Sequence, residues 1–272
     1  MHAHHDGYLR FLLERDGTPD LRRRTLARRE AFFDALDAAP VRSAARVDAA
    51  AYLRNLDRRR LEPGLDARTL WLLATASANQ AERFGVGLGE VYGRITPESE
   101  PVRLHTSLQE IYHTRILADV VAIFGLPVSH RPPDAITRAI THLMVRTSER
   151  WQLPVVGAAE MVGCVLFRIL RDRGLELCAD EPLVAERVRR LFDQILGDEL
   201  SHVGFIASLL GVRGRAMMRR LYRLLAVPLA RRAPAVSQLV GRRELRRTFS
   251  PTFRADVMAA ELPGLAYVAA NP

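Results

Sequence analysis

Glu110-Ile111-Tyr112-His113 and Glu199-Leu200-Ser201-His202 are two copies of the pattern Glu-x-x-His, and each lies in an apolar stretch with helical periodicity. A spacing of three residues places the carboxylate and the imidazole on the same face of a helix. A carboxylate on a core-facing helix stripe is costly unless it is paired or binds a metal ion. Because both copies lie on such stripes, the sequence predicts a metal site between two helices rather than two surface pairs.

The charged residues exclude several kinds of catalytic site. The net charge of +9 comes entirely from arginine, since the chain of 272 residues contains no lysine. A Schiff-base lysine, a pyridoxal-phosphate anchor and a P-loop lysine are therefore ruled out. Arginine is concentrated in 213–247, with eleven arginines and one acid, and in a shorter run that holds Arg22–Arg24, Arg28 and Arg29. Such runs either meet an acidic or phosphate-bearing partner or form solvated faces.

The chain shows no sign of export or of a membrane anchor. No apolar run approaches about 18 residues, so no membrane span is predicted. The first residues lack the apolar segment of a secretory signal. Cys164 and Cys178 lie in helical surroundings without the spacing of a zinc site, which is typical of a reducing compartment. These features predict a cytoplasmic protein.

Helical periodicity recurs along the whole chain while strand patterns are almost absent, which predicts an all-α fold. Pro154 should kink or break the third long helix near Leu153. Shorter helices, cut by Pro228, Pro234 and Pro251, should follow the fourth. The predicted helices cover about 20–38, 43–60, 66–93, 102–124, 132–174 and 181–210. The predicted organisation is an N-terminal helical extension packing on the bundle (1–62), a metal-binding four-helix core (63–211) and an Arg-rich C-terminal helical extension (212–272).

Two further carboxylate ligands should come from the first and third long helices. In an antiparallel pair, ligands of one site lie at similar heights from the connecting loop, and a helix rises about 1.5 Å per residue. By this criterion Glu82 matches Glu110 within one turn, whereas Glu90 lies too close to the helix end. In the third helix, Glu160 follows an apolar segment and is preferred to Glu149, which has polar neighbours.

The ligand chemistry favours iron or manganese, because hard carboxylate oxygens with imidazoles suit these ions and thiolates are missing from the set. Asp198 directly precedes Glu199 and is placed to accept the free ring N–H of His113, unless it faces solvent. Gln109 could serve His202 in the same way. Small residues near the ligands indicate either a substrate pocket or close helix packing. They are Ala78, Gly85, Gly89, Ala159 and Gly163.

Glu82, Glu110-x-x-His113, Glu160 and Asp198-Glu199-x-x-His202 together resemble the six-ligand set of the ferritin-like di-iron carboxylate oxygenase superfamily. The resemblance covers about 66–211 and implies a ferritin-like four-helix bundle core with extra N- and C-terminal helices. It also implies two iron ions, with manganese or a mixed Mn/Fe pair as alternatives, and O2 as co-substrate.

The branch of this superfamily stays open. Leu117 stands where the ribonucleotide reductase small subunit carries its radical tyrosine. Ile195 stands where the p-aminobenzoate N-oxygenases carry a third histidine. Both differences count against membership of those two branches.

The resemblance implies an O2-activating oxygenase that hydroxylates or N-oxygenates a small or carrier-bound organic molecule in a biosynthetic route. Such an enzyme needs an external electron donor, and a homodimer is compatible with the sequence. The alternatives are a ferroxidase or metal-binding ferritin-like protein, and a di-iron hydroxylase acting on a phosphate-bearing partner such as tRNA. A 7% aromatic content without an aromatic-basic segment argues against nucleic acid.

Overall fold

A computed structural model describes residues 2–91, 99–132, 135–249, 253–262, 264–265 and 267–268. Within these ranges the chain is predominantly helical, which confirms the all-α prediction. The strands described are two short ones, β1 (Pro19–Asp20) and β2 (Thr25–Leu26), which pair antiparallel.

Four long helices surround the core: α4 (Ala67–Val91), α5 (Pro101–Ala122), α7 (Glu149–Leu177) and α8 (Pro182–Leu209). Helix α4 packs against α5 and α7, and α8 packs against the same two helices, so the contacts close into a four-sided arrangement. Trp71 near the start of α4 donates its indole N–H to the carbonyl of Leu170, late in α7. The same ring packs edge-on against Phe124, just past the end of α5. Helix α4 therefore runs antiparallel to both α5 and α7.

The described ranges also contain further helices. They are α1 (His2–Asp16), α2 (Ala27–Asp37), α3 (Ala49–Asn55), α6 (Ala135–Arg146), α9 (Val212–Arg232), α10 (Pro234–Val240), α11 (Arg242–Thr248) and α12 (Ala255–Ala260). Helix α1 contacts α5, α3 contacts α4, α9 contacts α7 and α12 contacts α8. The long helices are thus covered from both ends of the sequence.

Local sequence signals set the starts of the ligand-bearing helices. Before α4, the carboxylate of Asp66 accepts a hydrogen bond from the backbone N–H of Thr69 at 2.9 Å. Before α5, Glu100 accepts from two backbone N–H groups of the first turn, and Pro101 takes the first helical position. Pro182 likewise takes the first helical position of α8. These residues satisfy or remove N–H groups that a helix start leaves without partners.

The prediction of one continuous third helix with a break near Pro154 was wrong. The break comes earlier, between α6 and α7, where Ser148 is extended and its carbonyl accepts from the N–H groups of Trp151 and Gln152. Pro154 then lies in the second turn of α7, which continues through it. In the second turn, proline removes one helical hydrogen bond, the one to the carbonyl of Arg150. The apolar contacts that the rest of α7 makes outweigh this loss.

The terminal predictions also need correction. Helix α1 was not predicted, and the expected helices 20–38 and 43–60 are reduced to the shorter α2 and α3. Pro228 does not cut the chain, because α9 runs through it. Pro234 does begin a new helix, α10. Pro251 lies outside the described residues.

Within the described ranges, α7 is the one helix that is long and apolar enough to cross a membrane by length and composition. Half of its apolar window is buried inside the protein. It packs against α4, α8 and α9, and these are the contacts of a core helix. Both cysteines are buried and unpaired.

Gly174 and Gly85 form a matched pair for testing the packing of these helices. A Cβ at Gly174 would lie 2.6 Å from Trp71 Cζ2, whereas a Cβ at Gly85 would have nothing within 4 Å. Gly174→Ala should lower the free energy of unfolding by about 1–3 kcal/mol through overpacking. Gly85→Ala should raise it by about 0.5–1 kcal/mol, because alanine is the better helix former. Urea denaturation of both variants measures the difference, and equal effects would contradict the packing described.

Candidate metal centre

The six predicted ligand side chains come together in the space between the four long helices. Helix α4 contributes Glu82, α7 contributes Glu160, and α5 and α8 each contribute one Glu-x-x-His pair. The positions of Glu82 and Glu160 along their helices bring them level with the two pairs. Glu90 and Glu149, the rejected alternatives, have side chains outside the described part.

The ligand atoms form two overlapping sets. One set holds Glu82, Glu110, His113 and Glu199, and the other holds Glu110, Glu160, Glu199 and His202. Within each set one atom per residue lies within 4.8 Å of every other. Glu110 and Glu199 belong to both sets, so the cluster has two centres joined by two carboxylates. Each centre also has one carboxylate and one imidazole of its own.

Both histidines turn Nδ1 toward the carboxylates. Nδ1 of His113 lies 3.4 Å from Glu110 and Glu199 and 3.6 Å from Glu82. Nδ1 of His202 lies 3.2 Å from Glu110 and 3.6 Å from Glu160. Nδ1 of His113 is buried and makes no hydrogen bond. A buried nitrogen without a partner is rare and costly, and this one points at a cluster of hard oxygen donors. The arrangement fits a metal ion at this point.

The opposite ring nitrogens are held by side chains from the facing helix. Nε2 of His113, on α5, donates to Asp198 of α8 at 3.1 Å. Nε2 of His202, on α8, donates to Oε1 of Gln109 on α5 at 2.9 Å. Asp198 is buried, so the alternative of a solvent-facing Asp198 is wrong. Such contacts fix the tautomer and leave Nδ1 free as a metal ligand.

Side chains from the first part of the chain contact Asp198 and Gln109, and the sequence did not reveal these contacts. Arg15 and Arg29 both donate to Oδ1 of Asp198. The amide of Gln109 donates to Asp198 at 3.0 Å and to Asp16 at 2.6 Å. Arg29 also donates to Asp16 at 2.7 Å. Arg29 belongs to the run considered for a solvated or partner-facing role, and at 2% exposure neither role fits it.

One signal in the sequence could have indicated the burial of Arg29. Leu26, Phe33 and Leu36 lie three residues before it and four and seven residues after it, which is the stripe of one helix face. All three side chains are buried. An arginine inside such a stripe needs buried acids as partners, although the stripe does not say where in the chain they lie.

Crowding and burial shift the pKa values of the carboxyl groups. Burial raises the pKa of Glu199 well above its usual range, and the nearby Glu160 and Glu82 raise it further. Burial also raises the pKa of Glu82 to about 7, with Glu110 adding to the shift and His113 opposing it. Glu82 and Glu199 therefore resist ionisation, and nearby positive charge would favour their carboxylate forms.

The neighbouring carboxylates raise the pKa values of both histidines and so favour their charged forms. Burial lowers the pKa of His202, but Glu110 and Glu160 outweigh it and raise the value to about 10. Burial likewise opposes the charged form of His113, and Glu110 and Asp198 raise its pKa well above the usual range. Positive charge is therefore favoured at both imidazole positions, where divalent cations could replace the protons.

The small residues near the ligands have different roles. A Cβ at Gly163 would lie 2.6 Å from Oε2 of Glu199, so this glycine leaves the room that the carboxylate occupies. Ala78 is buried. Gly85 and Ala159 are exposed, which does not fit a place in the lining of a buried pocket. The surroundings of Gly89 lie outside the described residues.

The Arg-rich C-terminal region forms α9, α10 and α11. On α9 the exposed residues include Arg213, Arg219, Arg220 and Arg223, together with Leu224 at 60% exposure. This exposed surface is basic, and the helix that carries it packs against α7.

Comparisons with protein-family models, with curated proteins and with solved structures gave no match to this chain. The interpretation of the site therefore depends on its own geometry.

Asp16 should make the stability of the metal-free protein depend on pH in the acid range. Burial raises its pKa, but Arg29 and Arg15 outweigh this and hold it at about 2. A depressed pKa stabilises the folded state above the unfolded value of about 3.9, and this contribution, about 2 kcal/mol, is lost as the pH falls toward about 2. Asp16→Asn should therefore be less stable than wild type near neutral pH and approach it in acid.

Urea denaturation over this pH range measures the effect. Asp6→Asn removes an exposed carboxylate from the same helix and serves as the control, with a profile like that of wild type. A constant difference between wild type and Asp16→Asn at every pH would contradict the role given to the ion pairs.

Proposed function

We propose that this chain is an O2-activating non-haem di-iron oxygenase with a ferritin-like four-helix core. The observation that carries the proposal is the pair of overlapping ligand sets joined by Glu110 and Glu199. In the ferritin-like template, two helices give one Glu each and two give Glu-x-x-His. Here α4 and α7 supply the single glutamates, and α5 and α8 supply the pairs.

Charge and donor type support two divalent cations of the iron or manganese kind. Four ligand carboxylates balance the charge of two such ions. All the donors are carboxylate oxygens or imidazole nitrogens, and no thiolate is among them. Manganese or a mixed Mn/Fe pair fits the same donors.

Each side chain has a distinct role in this proposal. Glu110 and Glu199 would be shared between the two ions, while Glu82 and Glu160 would each hold one. His113 and His202 would bind through Nδ1, because Nε2 of each ring is engaged by Asp198 or Gln109. When bound, the metal pair supplies the reduction of O2 coupled to the oxidation of an organic substrate.

Buried apolar side chains flank the proposed ligands on α5 and α8. Leu117 lies one turn beyond His113 and Ile195 one turn before Glu199, and both are fully buried. Apolar walls exclude water and slow side reactions. Hydroxylation or N-oxygenation of a small or carrier-bound molecule, with electrons from an external donor, is the reaction class we propose.

A ferroxidase would use the same ligands, but the two complete Glu-x-x-His pairs favour oxygen activation over iron storage. A phosphate-bearing substrate is a second candidate, and the exposed arginines of α9 favour it.

Replacing shared and unshared ligands should have different effects on metal content. Wild type reconstituted anaerobically with Fe(II) should hold about two iron ions per chain. Glu82→Gln and Glu160→Gln should each weaken one site and leave about one ion tightly bound, whereas Glu199→Gln should weaken both. Elemental analysis after desalting measures the content.

Glu186→Gln is the matched control on α8, because Glu186 pairs with Arg189 at the surface. It should retain wild-type iron. If Glu199→Gln also retained both ions, the shared-ligand arrangement would be wrong.

Exposure to O2 separates the oxygenase from the storage protein. The Fe(II)-loaded oxygenase should consume O2 in proportion to its bound iron and should not accumulate iron beyond about two ions per chain. Oxygen electrode traces with stepwise Fe(II) additions measure this. Continued uptake with formation of ferric mineral would support the ferroxidase instead.

A further inference from the structure

The N-terminal segment, defined here as residues 2–37, lies outside the four helices that carry the ligands. It comprises α1, the β1–β2 hairpin and α2. This segment nevertheless sends three charged side chains into the interior, behind the ligand histidines. Arg29 and Asp16 are buried, and the side chain of Arg15 is 15% exposed.

Arg29 uses each of its donor nitrogens on a different residue. Nε donates to Asp16 at 2.7 Å, Nη1 donates to the side chain of Gln194 at 2.7 Å, and Nη2 donates to Asp198. Only a planar guanidinium presents donors in this fork, so a lysine at the same position could not make all three bonds.

Arg15 lies flat against α8. It donates to Asp198 through Nη1 and to the backbone carbonyl of Gln194 through Nη2, the latter at 3.0 Å. Gly197 makes this approach feasible, because a Cβ there would lie 2.5 Å from Nη2 of Arg15. Glycine inside a helix is less stable than alanine, so this position gives up helix stability for the contact.

Asp198 depends on these two arginines for its charge balance. It is fully buried, and both Arg15 and Arg29 donate hydrogen bonds to its Oδ1. A buried carboxylate that loses its partners reorients toward other donors. This change would alter its hydrogen bond to His113. Gln109 is tied to the same group through Asp16 and Asp198, so the support of His202 depends on it as well.

We propose that the N-terminal segment completes the metal centre, with Arg15 and Arg29 as positioning residues that fix Asp198 and Gln109 behind His113 and His202. Docking of the segment and binding of the metal ions then stabilise each other, because such coupling is reciprocal. This inference rests on the proposed metal function.

Gly197→Ala tests the proposal without removing any charged group. The new methyl group displaces the flexible end of Arg15, so the variant should fold with wild-type helix content. Its affinity for Co(II), used as a spectroscopic probe, should fall about 10- to 100-fold, and the visible absorption of bound Co(II) should change. Wild-type affinity and an unchanged spectrum would overturn the role of Arg15.

Arg29→Lys and Arg115→Ala form the second comparison. Arg29→Lys keeps the charge but loses the fork, and we expect a decrease of at least about tenfold in Co(II) affinity. Arg115 pairs with Asp37 of α2 at 2.8 Å and stacks on Phe33, so it supports the same segment without touching the site. Arg115→Ala should keep wild-type Co(II) affinity and spectrum. Equal losses in both variants would show a general effect of docking and overturn the positioning role.

Hydrogen exchange provides the reciprocal readout. Adding Co(II) to the wild-type chain should slow amide exchange in α1 and α2, and this effect should be much smaller in Gly197→Ala. Unchanged exchange in wild type on metal binding would overturn the coupling. If wild type itself bound no Co(II), the proposed metal function would fail, whereas normal binding by all variants would overturn only the present inference.

Discussion

The gathering of four carboxyl groups between the long helices is the constraint on which the rest of the structure depends. Glu82, Glu110, Glu160 and Glu199 come from four different helices and meet between them, with Glu199 buried and the other three partly buried. Packing the apolar faces of the helices forces these groups together, and the raised pKa values of Glu82 and Glu199 express the cost. A pair of divalent cations would offset that cost and tie all four helices together.

Around the ligands lies a second layer that is neutral by itself. Asp16 and Asp198 are balanced by Arg15 and Arg29, and Gln109 links the two carboxylates. The inner layer is built by the four long helices, while the outer layer recruits residues from the beginning of the chain. The chain carries a net charge of +9, yet Arg15 and Arg29 in this layer each have an acidic partner.

The sequence revealed the features that depend on local spacing. Glu-x-x-His fixes two side chains on one helix face. A constant rise per residue was enough to prefer Glu82 over Glu90, and apolar neighbours were enough to prefer Glu160 over Glu149. The division between α6 and α7 was missed, because Pro154 is a stronger local signal than the extended Ser148 that precedes it. The partners of Asp198 were missed for a different reason. Arg29 lies 169 residues away in sequence, and no periodic pattern records a contact at that distance.

This long separation has a consequence for the order in which the protein is made. Arg15 and Arg29 leave the ribosome well before their common partner Asp198, which is synthesised on the order of ten seconds later at about 5–20 residues per second. During that interval the apolar side chains of α1 and α2, such as Leu12 and Phe33, have no completed surface to cover. Closure of this long loop is therefore expected to come late in folding.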